Sequence, residues 1–171
     1  MLVSRFLQDH QREILTEAAA ALARAHAESY QKLGPEPTAR RLEKLFDIAV
    51  RAVQARDLGP MIAHAHAIAR ERFEAGYDLW EVQTAFNVLE EAMWVRISRE
   101  LAPHELSEAL GLVSTVLGAG KDALARRYVA LATKTKAPSL NLASLFTGGE
   151  KSWLDPPASD RDGSGSGSAA R

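Results

Sequence analysis

Cysteine is absent from this 171-residue chain, which removes disulfides, thiolate metal sites and cysteine nucleophiles together. That absence fits a reducing cytoplasm. Net charge is nearly absent too, at −1, so the chain lacks the electrostatic footprint of a nucleic-acid or anionic-membrane binder. No stretch approaches the ~18 to 20 apolar residues needed to span a bilayer. The opening segment, Met1-Leu2-Val3-Ser4-Arg5-Phe6, lacks the basic start and long apolar run of a signal peptide. A cytoplasmic location with no membrane partner is therefore expected. There is no long internal repeat. What remains, 46% hydrophobic and 25% charged residues, is an ordinary globular composition with room for one domain and a sizeable core.

The most informative stretch is Gly76-Tyr77-Asp78-Leu79-Trp80-Glu81-Val82. Gly76 is placed to end one helix in a left-handed conformation that costs other residues more. Asp78 is placed to cap the next, with Glu81 reaching back from the third helical position and Tyr77 able to pack on Val82, a capping box with a hydrophobic staple. The helix that follows carries Leu79, Val82, Phe86, Leu89, Met93, Ile97 and Leu101 on one stripe. Trp80, Val88, Trp94 and Val95 widen it beyond a surface helix's share. Such a helix sits at the centre of a bundle, or faces a core on one side and a partner on the other.

Apolar periodicity predicts five helices in all. The first spans about residues 2–32 and stops at Gly34-Pro35-Glu36-Pro37. Thr38 is the expected cap of the second, which ends near Arg56. Asp57 is the expected cap of the third, and Pro103 the first residue of the fifth, which runs to about residue 134. Leu106, Leu110, Val113, Leu117, Leu124, Tyr128 and Leu131 give that last helix a heptad-like seam. Gly111, Gly118 and Gly120 mark either close approach of another element or local weakness. The expected fold is an all-α five-helix bundle, globin-like or four-helix-bundle-like, with a long C-terminal helix. The helical domain covers 1–135. Residues 136–171, rich in Pro, Asp, Gly and Ser, read as a flexible, disordered tail with a short apolar segment at 140–146.

No constellation supports catalysis, and an enzyme is not expected. His64 and His66 lie roughly 200° apart around a helix and cannot chelate one metal from a single face. His104, followed by Glu105 and Leu106, shares a His-Glu-Leu core with phosphotransfer helices. The basic residue, threonine and proline that accompany that core do not follow, and a plain helix start explains it better. Glu90 and Glu91 lack the Glu-x-x-His partner of a di-iron bundle, and no metal site or cofactor is expected. Phe73, Trp80 and Trp94, with His64 and His66, form the one speculative small-molecule or haem pocket, although aromatics at helical spacing are more often core. Gln83 and Asn87 are placed for a helix–helix contact.

The run Ala69-Arg70-Glu71-Arg72-Phe73-Glu74-Ala75-Gly76-Tyr77-Asp78-Leu79-Trp80-Glu81-Val82, continued by Phe86, Leu89 and Ile97, resembles the helical N-terminal domain of RsbR-type co-antagonist proteins of bacterial stress signalling. The resemblance covers roughly residues 7–101. It implies a globin-like module without haem that dimerises and passes its state through a long C-terminal helix to an output. No catalytic residues carry over. The expected output is a separate protein partner, the alternative being a stand-alone or truncated sensor. On this reading Gln83, Asn87, Trp94, Val113, Leu117 and Leu124 are the candidate contacts with a second copy or a partner.

Overall fold

The computed structural model describes residues 3–136, and among them every regular element is a helix. In chain order these are α1 (Val3–Asp9), α2 (Gln11–Arg24), α3 (Glu28–Leu33), α4 (Pro35–Ala55), α5 (Gly59–Glu74), α6 (Leu79–Glu100) and α7 (Pro103–Lys136). The all-α expectation holds, and no described helix is long and apolar enough to cross a membrane. The expected tail and its apolar segment at 140–146 lie outside the described residues, apart from Lys136, which is the last residue of α7.

The first expected helix is three. At His10 the chain kinks without losing its helical ladder, since His10 N–H still donates to the Phe6 carbonyl at 3.2 Å. The His10 ring instead stacks on Phe6 and reaches Glu100 at 3.0 Å. At Ala25–Ala27 the break is sharper. His26 takes a left-handed φ of 53°, a conformation histidine tolerates better than most residues, and Ala27 is extended and fully buried. The turn redirects α3 so that Tyr30 enters the core.

The proline pair starts a helix rather than only ending one. Gly34 adopts φ 94°, ψ 164°, open only to glycine, and Pro35 and Pro37 occupy the first turn of α4, where their missing N–H groups are not needed. Thr38 therefore sits inside α4, its hydroxyl donating back to the Gly34 carbonyl at 2.7 Å, and does not cap it. Asp57 stands one residue outside the cap position of α5, and its carboxylate accepts from Gly59 N–H at 2.9 Å.

α6 lies between α2 and α7, α7 lies between α6 and α5, and α4 crosses to α1, α2, α5 and α7. The core is built from Ile14, Leu22, Phe46, Met61, Phe86, Leu89, Met93, Leu117 and Leu124, all essentially inaccessible. Each such side chain contributes about 1.5–3 kcal/mol by leaving water. Gly120 explains how α5, α6 and α7 come so close. A Cβ there would stand 2.8 Å from Phe86 Cε1 and 2.9 Å from Met61 Sδ. Gly111 and Gly118 have nothing within 4 Å of that position, so close approach is the property of Gly120 alone.

Candidate functional site

The α5–α6 joint forms as its sequence dictates. Gly76 sits at φ 79°, Tyr77 N–H donates to the Arg72 carbonyl at 2.9 Å, and Gly76 N–H donates to the Phe73 carbonyl at 3.1 Å. This pair of bonds is the Schellman closure of a helix. Asp78 and Glu81 then complete a capping box at the start of α6. Glu81 does more than cap. One carboxylate oxygen accepts from Ser29 N–H, and the other from the Ser29 hydroxyl, both at 2.7 Å, while Asp78 N–H donates at 3.0 Å. Burial opposes the charge on Glu81, but the bonds from Ser29 and Asp78 outweigh it and hold its carboxyl below the usual range. The joint is thereby tied to the start of α3, 52 residues earlier in the chain.

All three tyrosines of the sequence meet here. Tyr30 and Tyr77 stack edge to face with centroids 5.3 Å apart, and the Tyr128 hydroxyl, from α7, donates to the Tyr77 carbonyl at 3.3 Å. Arg41 donates to the Tyr77 hydroxyl at 2.8 Å, and the Arg41 and Arg72 guanidiniums lie 5.4 and 5.7 Å from the Tyr77 ring centre, within cation–π range. Burial pushes the Tyr30 and Tyr128 phenols up, so both stay neutral at physiological pH. Four helices, α3, α4, α5 and α7, thus converge on the cap of a fifth.

Arg72 is the unusual member. It is only 5% exposed, and a buried charge must be paired to be tolerated. Glu71 supplies one partner at Nη1 and also faces Arg41 Nη2 at 3.7 Å. Nevertheless Nε of Arg72 is buried without any hydrogen-bond partner, which costs about 1–3 kcal/mol as it stands.

A cavity of about 320 Å³ opens beside the joint, between α4, α5 and α6. Its basic side carries Arg40, Arg41, Lys44 and Arg72 against a single carboxylate, Glu71, and its apolar side is Leu42, Leu45, Ile68, Val82, Ala85 and Phe86. His64 is also on the wall. Burial first, then the positive charges of Lys44 and Arg72, lower its pKa to about 4, with Glu71 opposing. The ring is neutral at pH 7.

The speculative pocket does not assemble. His64 lines the cavity just described, whereas His66 lies on a separate surface depression with Arg70, Arg126 and Arg127. Phe73 packs edge to face on Tyr128 at 5.8 Å. Trp80 and Trp94 stand on the outside of α6, 49% and 43% exposed. Among the described residues no group of three His, Asp or Glu is arranged to hold a metal ion.

The candidate contact residues also separate. Val113, Leu117 and Leu124 are buried inside the single chain, so the middle of the heptad-like seam of α7 packs within it, while Leu106, Leu110 and Leu131 of the same seam are half-buried. Asn87 is exposed and accepts from Lys121 at 3.1 Å, while Glu90 pairs with the same ammonium at 2.6 Å. That cluster ties α6 to α7 from the surface, whereas the helix–helix reading of Asn87 expects a buried polar group. Gln83 is half-buried, and Trp94 is left as the exposed apolar candidate.

Reading by motif missed Arg72, Tyr30 and Ser29, and placed Tyr128 in the α7 seam without its bond to the joint. The signal for the tyrosines was their rarity; nothing local distinguishes Arg72 from the charged residues around it.

No curated protein shows detectable similarity to the chain. A family model does match, over residues 12–136, and its description is "RsbT co-antagonist protein rsbRD N-terminal domain". This span holds the joint, the cavity and all of α7, and extends beyond the 7–101 stretch on which the resemblance rested. The chain belongs to the family of RsbT co-antagonist rsbRD N-terminal domains, a regulatory rather than a catalytic family of stress signalling.

Proposed function

We propose that this chain is a non-enzymatic regulatory module that acts in the cytoplasm, as a homodimer, by binding a protein partner of the RsbT class. The observation that carries the reading, beside family membership, is the course of α7. Its middle is core, through Val113, Val116, Leu117 and Leu124, and Tyr128 ties it to the joint. Immediately beyond, Val129 is 60% exposed and Ala130, Thr133 and Lys134 are also exposed. A change in how the joint is packed is therefore felt by the helix segment that a partner can reach. The dimer contact is assigned to the outer face of α6, where Trp80 and Trp94 lie fourteen residues apart and nearly in line along the helix.

The test is a calorimetric titration of the purified chain with RsbT, together with light scattering of the chain alone. The reading expects a saturable complex and a dimer mass. Absence of a complex refutes the partner assignment, and a monomer across micromolar concentrations refutes the dimer.

A further inference from the structure

The cavity beside the joint has a polarity that the regulatory reading does not use. Its lining holds four cationic side chains and one carboxylate together with a set of aliphatic and aromatic side chains. Arg40 is engaged by Glu36 at 2.7 Å, which leaves Arg41, Lys44 and Arg72 as the other cations of the lining. Lys44 forms no ion pair among the described residues, and Arg72 keeps a buried N–H donor unpartnered. Glu71, the sole counter-charge, has a side chain 63% exposed and is shared between Arg41 and Arg72. A solvent-facing carboxylate serving two guanidiniums can be replaced by another carboxylate entering the cavity.

We propose that this cavity binds a small organic monoanion of the carboxylate class, its charge held by Arg41 and Lys44 beside Arg72 and its compact apolar body resting on the half-buried Pro37 and Ile68. Three features argue for that class. Arg41 and Lys44 line the cavity with one carboxylate, Glu71, shared between Arg41 and Arg72, and a charged acceptor forms stronger bonds there than a neutral one. The surrounding cations make a positive site, and Lys44 and Arg72 add to burial in lowering the pKa of His64. The apolar wall and the modest volume favour a ligand with a short hydrocarbon or aryl body over a bare, strongly hydrated anion. Because Arg72 also supplies the carbonyl that closes α5 onto Tyr77, occupancy is felt at the joint and through Tyr128 on α7. The inference deepens the regulatory reading and rests on it only for what binding accomplishes; binding itself is measured on the chain alone.

The experiment uses benzoate, benzamide and benzamidine, which share a shape and differ in charge, with inorganic phosphate as the bare anion. Calorimetric titration of the full chain should give one benzoate site, about ten- to a hundredfold tighter than benzamide, and no benzamidine binding. Arg72→Gln should weaken benzoate at least about tenfold, and Lys44→Gln should weaken it by a smaller factor. Glu71→Gln removes the internal competitor and should tighten it, an effect that a merely structural role for the cluster does not produce. Should Arg72→Gln fail to fold, as circular dichroism will show, the two exposed variants decide. The proposal is overturned if benzamide binds as well as benzoate, if phosphate binds as tightly, if benzoate gives no binding, or if Glu71→Gln and Lys44→Gln leave its affinity unchanged. Loss of RsbT binding with benzoate binding intact would refute the regulatory reading and leave this site standing.

Discussion

Replacing Gly120 by alanine adds one methyl group to α7, and the structure allows the outcome to be worked out before it is measured. Two effects oppose each other. Alanine is favoured over glycine inside a helix by about 1 kcal/mol, because the unfolded glycine has more conformational freedom to lose. Against that, the new Cβ would stand 2.8 Å from Phe86 Cε1, 2.9 Å from Met61 Sδ and 3.0 Å from Met61 Cγ, where carbon atoms prefer roughly 3.5–4.0 Å. Phe86 and Met61 are both essentially inaccessible, so neither can swing into solvent, and overpacking of this kind costs about 1–3 kcal/mol. With room needed on two sides at once, the cost falls in the upper part of that range and exceeds the helix gain by about 1–2 kcal/mol. For a chain of this size the melting temperature should fall by about 2–8 °C. Gly118→Ala is the internal control, since nothing lies within 4 Å of its Cβ position. Only the helix term operates there, and stability should rise by about 0.5–1 kcal/mol. Thermal and urea unfolding followed by far-ultraviolet circular dichroism measures both. Shrinking the neighbour, as Phe86→Leu in the Gly120→Ala background, should cost less than the two single changes added together. A Gly120→Ala protein as stable as the parent would refute the reasoning.

Glu81→Gln leaves the N–H of Ser29, the Ser29 hydroxyl and the N–H of Asp78 facing a neutral amide that serves fewer donors, and should cost about 2 kcal/mol in urea unfolding. The pH dependence follows in the same direction for two groups. The Glu81 carboxyl is held below its ordinary value by Ser29 and Asp78, so its contribution is present above the unfolded pKa and is lost as pH falls through the folded one. His64 is lowered to about 4, by burial and then by Lys44 and Arg72 with Glu71 opposing; the unfolded chain therefore binds the extra proton first, and stability declines as pH falls from about 6.5 to about 4. His64→Gln should flatten that part of the profile, and an unchanged slope would contradict the assignment. If α6 carries the proposed dimer contact, joint replacement of Trp80 and Trp94 by Gln should give a monomer by light scattering while shifting stability by no more than about 0.5 kcal/mol.

The joint at Gly76–Glu81 was legible because each of its parts is local. A positive φ, a cap and a reciprocal carboxylate are chosen by the two or three neighbouring residues. Gly120 was half legible, since glycine in a helix signals either intimacy or weakness and only Phe86 and Met61 decide between them. The first helix was read as one because its break has neither glycine nor proline. His26 takes the left-handed turn itself, and the gain lies in burying Ala27 and Tyr30, which are not local to one another's partners. The apolar seam of α7 is legible in the sequence, but periodicity gives the width of a face and not what covers it, and Val113, Leu117 and Leu124 are covered within the chain. Arg72 was hidden in a run of Arg and Glu that reads as solvated. It is buried where Tyr30, Tyr77 and Tyr128 meet at the joint, a convergence that the sequence spreads over almost a hundred residues.

The most direct test of the regulatory account is the titration of RsbT with the full chain, read by heat and by mass in the same samples. The account predicts a saturable complex with a Kd of about a micromolar or below, formed by a dimer of this chain. No complex at roughly 100 µM of each protein would contradict it.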